Sequence, residues 1–323
     1  MQSLILFAFA SLCLCAYFPF MKILCCGFFP ALQRTIEYDV FRPYEVNRAR
    51  KVSVAASGKA TNTARVLKIL GADPLMLSFA GGGNGDTVRD LLEKEQLPCR
   101  WVETKAETRI CQTLLSGDHD GCTELVENTA PLSAAEWKAF VKTFAGLQGD
   151  FDRIIFSGNL PPHAPQDIYA ELLSLTDSKK VLIDTYGAPL LAALEHRPAV
   201  VKINAEELRN TFKSKAPIEE LAEELMSLGA GAVGITQGKA QAMLFIPGAS
   251  HTFTVPAVKA LNPIGSGDSV SAGTAYALAK GHSLVEAFVF GLACGTSNAM
   301  NIEPGVVKPE QIAKLVPQIK VEK

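Results

Sequence analysis

Residues Asn262–Gly273 read NPIGSGDSVSAG. Three small residues, Gly265, Ser266 and Gly267, lead into Asp268 and then into a helix-compatible run of Ala, Tyr and Leu, so the stretch predicts a loop that opens a helix. Small residues let the backbone approach a ligand closely. The N–H groups of a first helical turn lack intrahelical partners and sit at the positive end of the helix dipole, which attracts phosphate. Asp268 then has two readings. Asp is a favoured helix cap. A carboxylate beside a phosphate site also repels phosphate unless it serves as a base for an attacking hydroxyl. Spacing alone leaves both open.

Working outward, residues 130 onward alternate short apolar runs with amphipathic helical patterns, the signature of βαβ units around a buried, mostly parallel sheet. Strands are expected at Asp152–Ser157, Val181–Thr185, Ala199–Ile203 and Ala232–Thr236. Helical spacing links Trp137, Phe140, Val141, Phe144 and Leu147, and again Ile218, Leu221, Leu225 and Leu228. The first third differs. Ile36, Tyr38 and Val40 alternate with acidic residues, and Ile110, Gln112 and Leu114 alternate with their neighbours, a pattern of half-exposed antiparallel strands. These flank helical stretches at about Thr61–Leu70 and Asp86–Glu95. The expectation is an α/β body, residues 21–323, with a small β lid assembled from about 33–55 and 99–128.

Composition narrows the function. The chain has 323 residues, 48% hydrophobic and 20% charged, with a formal charge of -2, which lacks the basic excess of a nucleic-acid binder. Eight cysteines with no CxxC pair make neither a disulfide framework nor a zinc site, and the five histidines are each more than thirty residues from the next. Gly234–Lys239 lacks the spacing of a P-loop, and Gly81–Asp86 lacks the last glycine of a dinucleotide fingerprint. The mean hydropathy of +0.17 owes much to residues 1–20, where only Gln2, Ser3, Ser11 and Pro19 fall outside the apolar set. That run is long enough for a membrane span, but no Lys or Arg precedes it and no clear cleavage site follows.

The IGSGDSVSAG stretch closely resembles the second signature of the phosphofructokinase B type sugar kinases of the ribokinase superfamily. Other segments match that family in its order. SGKATNTARVLKILG (57–71) resembles its first glycine-rich motif, SGNLPP (157–162) its Ser-Gly-Ser-Leu-Pro-Pro element, and VKINAEEL (201–208) its Lys-Pro-Asn-x-x-Glu-Leu element. ITQG (235–238) and ACGTSNAM (293–300) fall where the family binds nucleotide. The resemblance runs from Met21 to about Leu315.

What the resemblance implies is a ribokinase-like three-layer fold and ATP-dependent transfer of the γ-phosphoryl group to a sugar hydroxyl. Asp268 becomes the general base, with Gly265, Ser266 and Gly267 as the anion hole. Asn204 and Glu207 match the Asn-x-x-Glu pair that helps place Mg2+ through water, and equally a capping box opening a helix. Lys202, Asn204, Thr236, Gly238 and Asn298 are expected at ATP. Gln33, Gly58, Lys59, Asn62 and Arg109 are expected at the sugar, with Lys59 and Arg109 gripping a phosphate the acceptor already carries; Arg suits this through its bidentate fork. The pattern is closest to fructose-1-phosphate and tagatose-6-phosphate kinases, which implies a ketohexose phosphate as acceptor. The alternatives are a kinase for an unphosphorylated sugar or nucleoside, and a catalytically silent sugar-phosphate sensor.

Three departures bear on the acceptor. Gln33 stands where the family commonly has an Asp that binds sugar hydroxyls; an amide keeps the hydrogen bonds and loses the charge. Ser57 and Ala60 replace glycines of the first motif and add bulk beside the sugar, while Ser266 replaces Ala and leaves the N–H groups in place. Substrates of this kind imply a cytoplasmic enzyme without membrane or nucleic-acid partners, and the resemblance allows a homodimer through the lid. They favour reading residues 1–20, outside the matched fold, as the product of an upstream start or as a dispensable extension.

Overall fold

The computed structural model describes residues 21–323 apart from 120, 162, 239 and 240, so the apolar run 1–20 and Pro162 of the SGNLPP element lie outside the described residues. A large sheet runs in the spatial order β14 (Lys320–Glu322), β13 (Ala249–Thr254), β12 (Gln241–Ile246), β11 (Val233–Gln237), β10 (Val200–Asn204), β9 (Val181–Asp184), β8 (Arg153–Ser157), β1 (Lys22–Cys26), β4 (Asp73–Ala80) and β5 (Cys99–Glu103). From β11 to β5 the strands are parallel; β12, β13 and β14 are added antiparallel at the other edge. Helices cover both faces, which is why β1 (KILCC) and β8 (RIIFS) are almost uniformly apolar.

The alternation of the central strands sorts their side chains into two cores. Leu24, Cys26, Ile154 and Phe156 face α3 (Ala134–Leu147), α4 (Ile168–Ser174), α5 (Ala188–Ala193), α6 (Ala205–Phe212) and α7 (Ile218–Leu228). Ile23, Cys25 and Ile155 face α1 (Lys59–Ile69), α2 (Gly82–Lys94), α8 (Ser266–Ala279), α9 (Leu284–Ala299) and α10 (Pro309–Leu315). In the first core Phe28 is the hub of an aromatic cluster, its ring centroid 4.9 Å from Phe140, 5.0 Å from Trp137 and 5.2 Å from Tyr169. Burying a ring of that size contributes roughly 1.5–3 kcal/mol, and it anchors the Gly27–Pro30 turn that leaves β1. In the second core α8 and α9 pack closely because Gly273 and Gly295 present no side chain. An added Cβ would lie 2.6 Å from the Cys294 sulfur and 2.6 Å from a Val270 methyl, respectively.

A second sheet has the order β3 (Lys51–Ser57), β2 (Ala31–Tyr38), β6 (Arg109–Ser116), β7 (Cys122–Val126). The pairs β2–β3 and β6–β7 are antiparallel, as expected, but the central pair β2–β6 is parallel, with Ala31 opposite Arg109 and Gln33 opposite Cys111. Two hairpins from separate excursions of the chain meet there, so no tight turn dictates their direction. Cys99–Glu103 pairs with β4 at the edge of the large sheet, so the second excursion reaches the small sheet only from Arg109. Among the described residues no helix is long and apolar enough to cross a membrane. The six described cysteines are free thiols, and burial raises those of Cys25, Cys26 and Cys294.

Candidate active site

The parallel strands deliver their C-terminal ends to one edge of the sheet, where open α/β sheets bind ligands. Gly27 follows β1, and Ser157, Asp184 and Asn204 end β8, β9 and β10. The N-termini of α1 and α8 point at the same edge. Gly265 caps α8 in the left-handed region (φ 81°), and an added Cβ would be 2.8 Å from the Gly305 backbone nitrogen, so only glycine fits. The Ser266 N–H is spent on the Pro263 carbonyl at 3.2 Å. Gly267 follows at the first helical turn, and an added Cβ there would stand 2.7 Å from the Lys202 ammonium. The missing side chain therefore leaves room for a cation directly beside the helix N-terminus.

Asp268 lies one residue further, 7% exposed, and its Oδ2 accepts from the Asn62 amide at 2.8 Å. Burial pushes its carboxyl up to about 6, with Asp184 adding to the rise and Lys59, Asn62 and Lys202 opposing it. Capping geometry is absent: the cap is Gly265, and the Asp268 side chain instead faces α1.

Asp184 is the residue that the sequence reading missed. It is 1% exposed and ties the site together, accepting from Lys59 at 2.9 Å and the Ser271 hydroxyl at 2.8 Å and pairing with the Lys202 ammonium at 3.1 Å. Burial opposes its charge, but the two lysines outweigh that and hold it well below the usual carboxylate range. Lys59 in turn is held above its ordinary value, since Asp184, Glu207 and Asp268 outweigh the burial that opposes its charge. Its ammonium also lies 3.6 Å from Glu207 Oε1. Asn204 and Glu207 do form the capping box of α6: the Asn204 N–H donates to Glu207 Oε2 at 3.0 Å, and the Glu207 N–H to Asn204 Oδ1 at 2.8 Å. That leaves Glu207 Oε1 turned to the site.

Two hollows flank this cluster. A cavity of about 160 Å³ is lined by Gly27–Pro30, Gly58–Thr61, Ser78, Arg109 and Ser157–Asn159. Two of its lining residues carry a polar atom, Arg109 Nε and Ser157 Oγ, that is buried without a hydrogen-bond partner, an arrangement that costs free energy. Tyr169 donates to the Gly158 carbonyl at 2.6 Å and fixes that wall. The bulk of Ala60 is absorbed by Gly27, where an added Cβ would be 2.6 Å from the Ala60 methyl. Gln33 does not line the cavity: it is 3% exposed and donates to Thr113 across the small sheet at 2.9 Å.

On the other side a groove of about 700 Å³ includes Lys202, Asn204, Thr236, Gly238, Ser266 and Gly267. Gly295, Thr296 and Ala299 of the ACGTSNAM segment line it too, whereas its apolar wall of Val255–Val258 and Leu292 had no motif to flag it. Asn298 stays out of the groove. It is fully buried, donating to the Ile264 carbonyl at 2.8 Å and to Ser266 Oγ at 3.1 Å while accepting from the Gly305 N–H at 2.7 Å, so it braces the loop behind the helix start. The Ser266 hydroxyl, absent from the family's usual Ala, is used in that brace.

Residues 30–304 match the model of the pfkB family of carbohydrate kinases. The chain belongs to that family. It is 30% identical over 298 residues to 1-phosphofructokinase of Bacillus subtilis (strain 168), covering 90% of this chain and 96% of that protein. Phosphofructokinase-2 from Escherichia coli, solved in complex with fructose-6-phosphate, superposes with a TM-score of 0.82 at 23% identity, over 93% of this chain and 98% of that one. Ribokinase from Thermotoga maritima does so with a TM-score of 0.73 at 18% identity, over 93% and 100%. The fold is thus ribokinase-like, and the chain is a sugar kinase, an enzyme that transfers phosphate to a hydroxyl. The family uses ATP, with Mg2+ typical.

Proposed function

We propose that this chain phosphorylates a hydroxyl of a ketohexose phosphate with ATP, fructose 1-phosphate being the first acceptor to test, followed by tagatose 6-phosphate and fructose 6-phosphate. The observation that carries the acceptor class is the cavity lined by both Lys59, the ion-pair partner of Asp184, and Arg109, whose guanidinium keeps a buried Nε without a hydrogen-bond partner. A guanidinium in that state suits a phosphate that the sugar already bears. The Bacillus subtilis relative supports the same choice.

In this reading the sugar occupies the cavity, lined by Gly58 and Lys59 and closed by Arg109, while Asn62 and Gln33 lie outside its lining, bonded to Asp268 and Thr113. ATP occupies the groove along Lys202, Asn204, Thr236 and Gly238. Asp268 takes the proton of the attacking hydroxyl as its oxygen bonds to the γ-phosphorus and the β–γ bridge breaks, releasing ADP. The α8 N-terminus at Gly265–Gly267 and the ammonium groups of Lys59 and Lys202 stabilise the charge spread over the transferring oxygens. Asn298 acts behind that helix start rather than on the nucleotide. Mg2+, when bound, neutralises charge between the β- and γ-phosphates. Glu207 Oε1 and Asn204 are placed to hold its waters. Among the described residues no group of three or more His, Cys, Asp or Glu is placed to hold a metal ion directly.

Body and lid are proposed as one folding unit over residues 21–323. The small sheet leaves Val52, Val54, Leu125 and Val126 at 43–54% exposure, an apolar surface suited to a homodimer through the lid. Substrates of this class place the enzyme in the cytoplasm. Purified protein assayed with Mg-ATP and fructose 1-phosphate, tagatose 6-phosphate, fructose 6-phosphate, ribose and adenosine tests the assignment. Turnover should concentrate on one of the three sugar phosphates. Preference for ribose or adenosine would overturn the acceptor class, and sugar-phosphate binding without any turnover would favour a sensor.

A further inference from the structure

Asn62 donates to Asp268, and what fixes the Asn62 amide is visible in the two donors on its other side. Asn62 Oδ1 accepts from the Ser57 hydroxyl at 3.2 Å and from Arg65 Nη1 at 3.4 Å. Arg65 is itself immobilised: it donates to both Glu95 oxygens at 2.7 and 2.9 Å, to the Ala56 carbonyl at 2.7 Å and to the Pro304 carbonyl at 3.1 Å. Ser57, Asn62, Arg65 and Asp268 are all buried. Flipping the amide would set its oxygen against the Asp268 carboxylate and its NH2 against the guanidinium, two repulsive contacts in place of two hydrogen bonds, while the Ser57 hydroxyl, which can also accept, fixes where the amide sits.

Ser57 stands where the related glycine-rich motif carries glycine, so its hydroxyl is an addition of this chain. It ends β3, opposite Ala31, outside the left-handed region, and is accommodated without backbone strain. The geometry points to Ser57 as a positioning residue: with Arg65 it locks the Asn62 amide so that its NH2 is aimed at Asp268, the proposed base. This rests on the reading of Asp268 above. The same Arg65 contact to Pro304 steadies the loop whose next residue, Gly305, packs against both Asn62 and Gly265. Base and helix start are thus held from one point.

The test uses the full chain carrying Ser57→Gly and, separately, Ser57→Ala, each also in an Asn62→Ala background. Both substitutions suit an unstrained strand end, and a melting temperature near the wild type confirms folding. Losing one hydrogen bond that orients the donor should lower kcat about threefold to tenfold, with KM for ATP unchanged. Lys59 from α1, Asp184 from β9 and Lys202 from β10 also face Asp268, and neither substitution alters them. With its donor less well aimed, the Asp268 carboxylate is less stabilised, and the acidic limb of the kcat profile should move to higher pH. In the Asn62→Ala background, Ser57→Gly should cause no further loss, because Ser57 acts through Asn62. Equal losses in both backgrounds, an effect confined to the KM of the sugar phosphate, or no effect on kcat would each overturn the role. Asp268→Asn is measured alongside. If it retains turnover, the base assignment has failed; if it is inactive while Ser57→Gly is silent, only the positioning role has failed.

Discussion

Replacing Asp184 by Asn removes one charge and keeps the shape of the side chain, which makes it the cleanest probe of the buried cluster. The wild-type carboxylate meets Lys202, whose side chain is 6% exposed, at 3.1 Å, and Lys59, 30% exposed, at 2.9 Å. Breaking a buried ion pair by removing one partner costs roughly 3–5 kcal/mol, chiefly through the charge left behind. Solvent screens the Lys59 half, and the Asn carbonyl can still accept from Ser271, so the low end applies, about 3 kcal/mol. With an unfolding entropy of about 2.1 cal/mol/K per residue, a chain of 323 residues shifts by roughly 1.5 °C per kcal/mol, so the melting temperature should fall by about 4–5 °C at neutral pH. The pH dependence follows from the direction of the shift. Asp184 is held below its ordinary value, so its contribution is present above the unfolded value near 3.9 and is lost as pH falls toward the folded one. Thermal melts of the two proteins should therefore differ most near neutrality and converge below about pH 4. Equal melting temperatures at neutral pH, or a gap that ignores pH, would refute the argument.

Other expectations concern activity. The acidic limb of kcat/KM should lie near pH 6, because Asp268 must be ionised to accept a proton and its carboxyl is pushed up to about 6; a limb at the ordinary carboxylate range would show that burial does not act as described. Arg109→Ala should raise KM for the accepted sugar phosphate at least tenfold and leave that for ATP unchanged in steady-state assays, since Arg109 lines the smaller cavity and not the groove proposed for ATP. Gly267→Ala should depress kcat more than tenfold, because the new methyl would lie 2.7 Å from the Lys202 ammonium. Gly281→Ala, with open space around it but a φ of 83°, should cost only about 1 kcal/mol of stability in chemical denaturation and leave kcat alone.

The body was legible because its signals are local. Apolar strands such as β8 and β11 and the glycines before α8 carry their own periodicity and turn chemistry, and Asp268 stood out as a carboxylate where phosphate was expected. Asp184 was not legible. A single acidic residue closing VLID looks like the polar end of a strand, and its significance comes from Lys59, 125 residues away, and Ser271, 87 residues away. The parallel β2–β6 pair was hidden for a related reason, as period-two alternation reports exposure and says nothing of strand direction. Asn298 sat in a matched segment, yet its amide is consumed by loop carbonyls and a backbone N–H; a motif match places a residue in the neighbourhood and leaves open which way it faces. Gln33 and Ser57 show the opposite, departures from a family pattern that the surrounding hydrogen bonds absorb.

The central claim, that Asp268 accepts the proton of the attacking hydroxyl, is tested most directly by single-turnover phosphoryl transfer in Asp268→Asn with saturating Mg-ATP and the preferred sugar phosphate. The account predicts a rate lower by on the order of a thousandfold or more, with ATP binding measured by calorimetry nearly unchanged. A rate within tenfold of the wild type would contradict it.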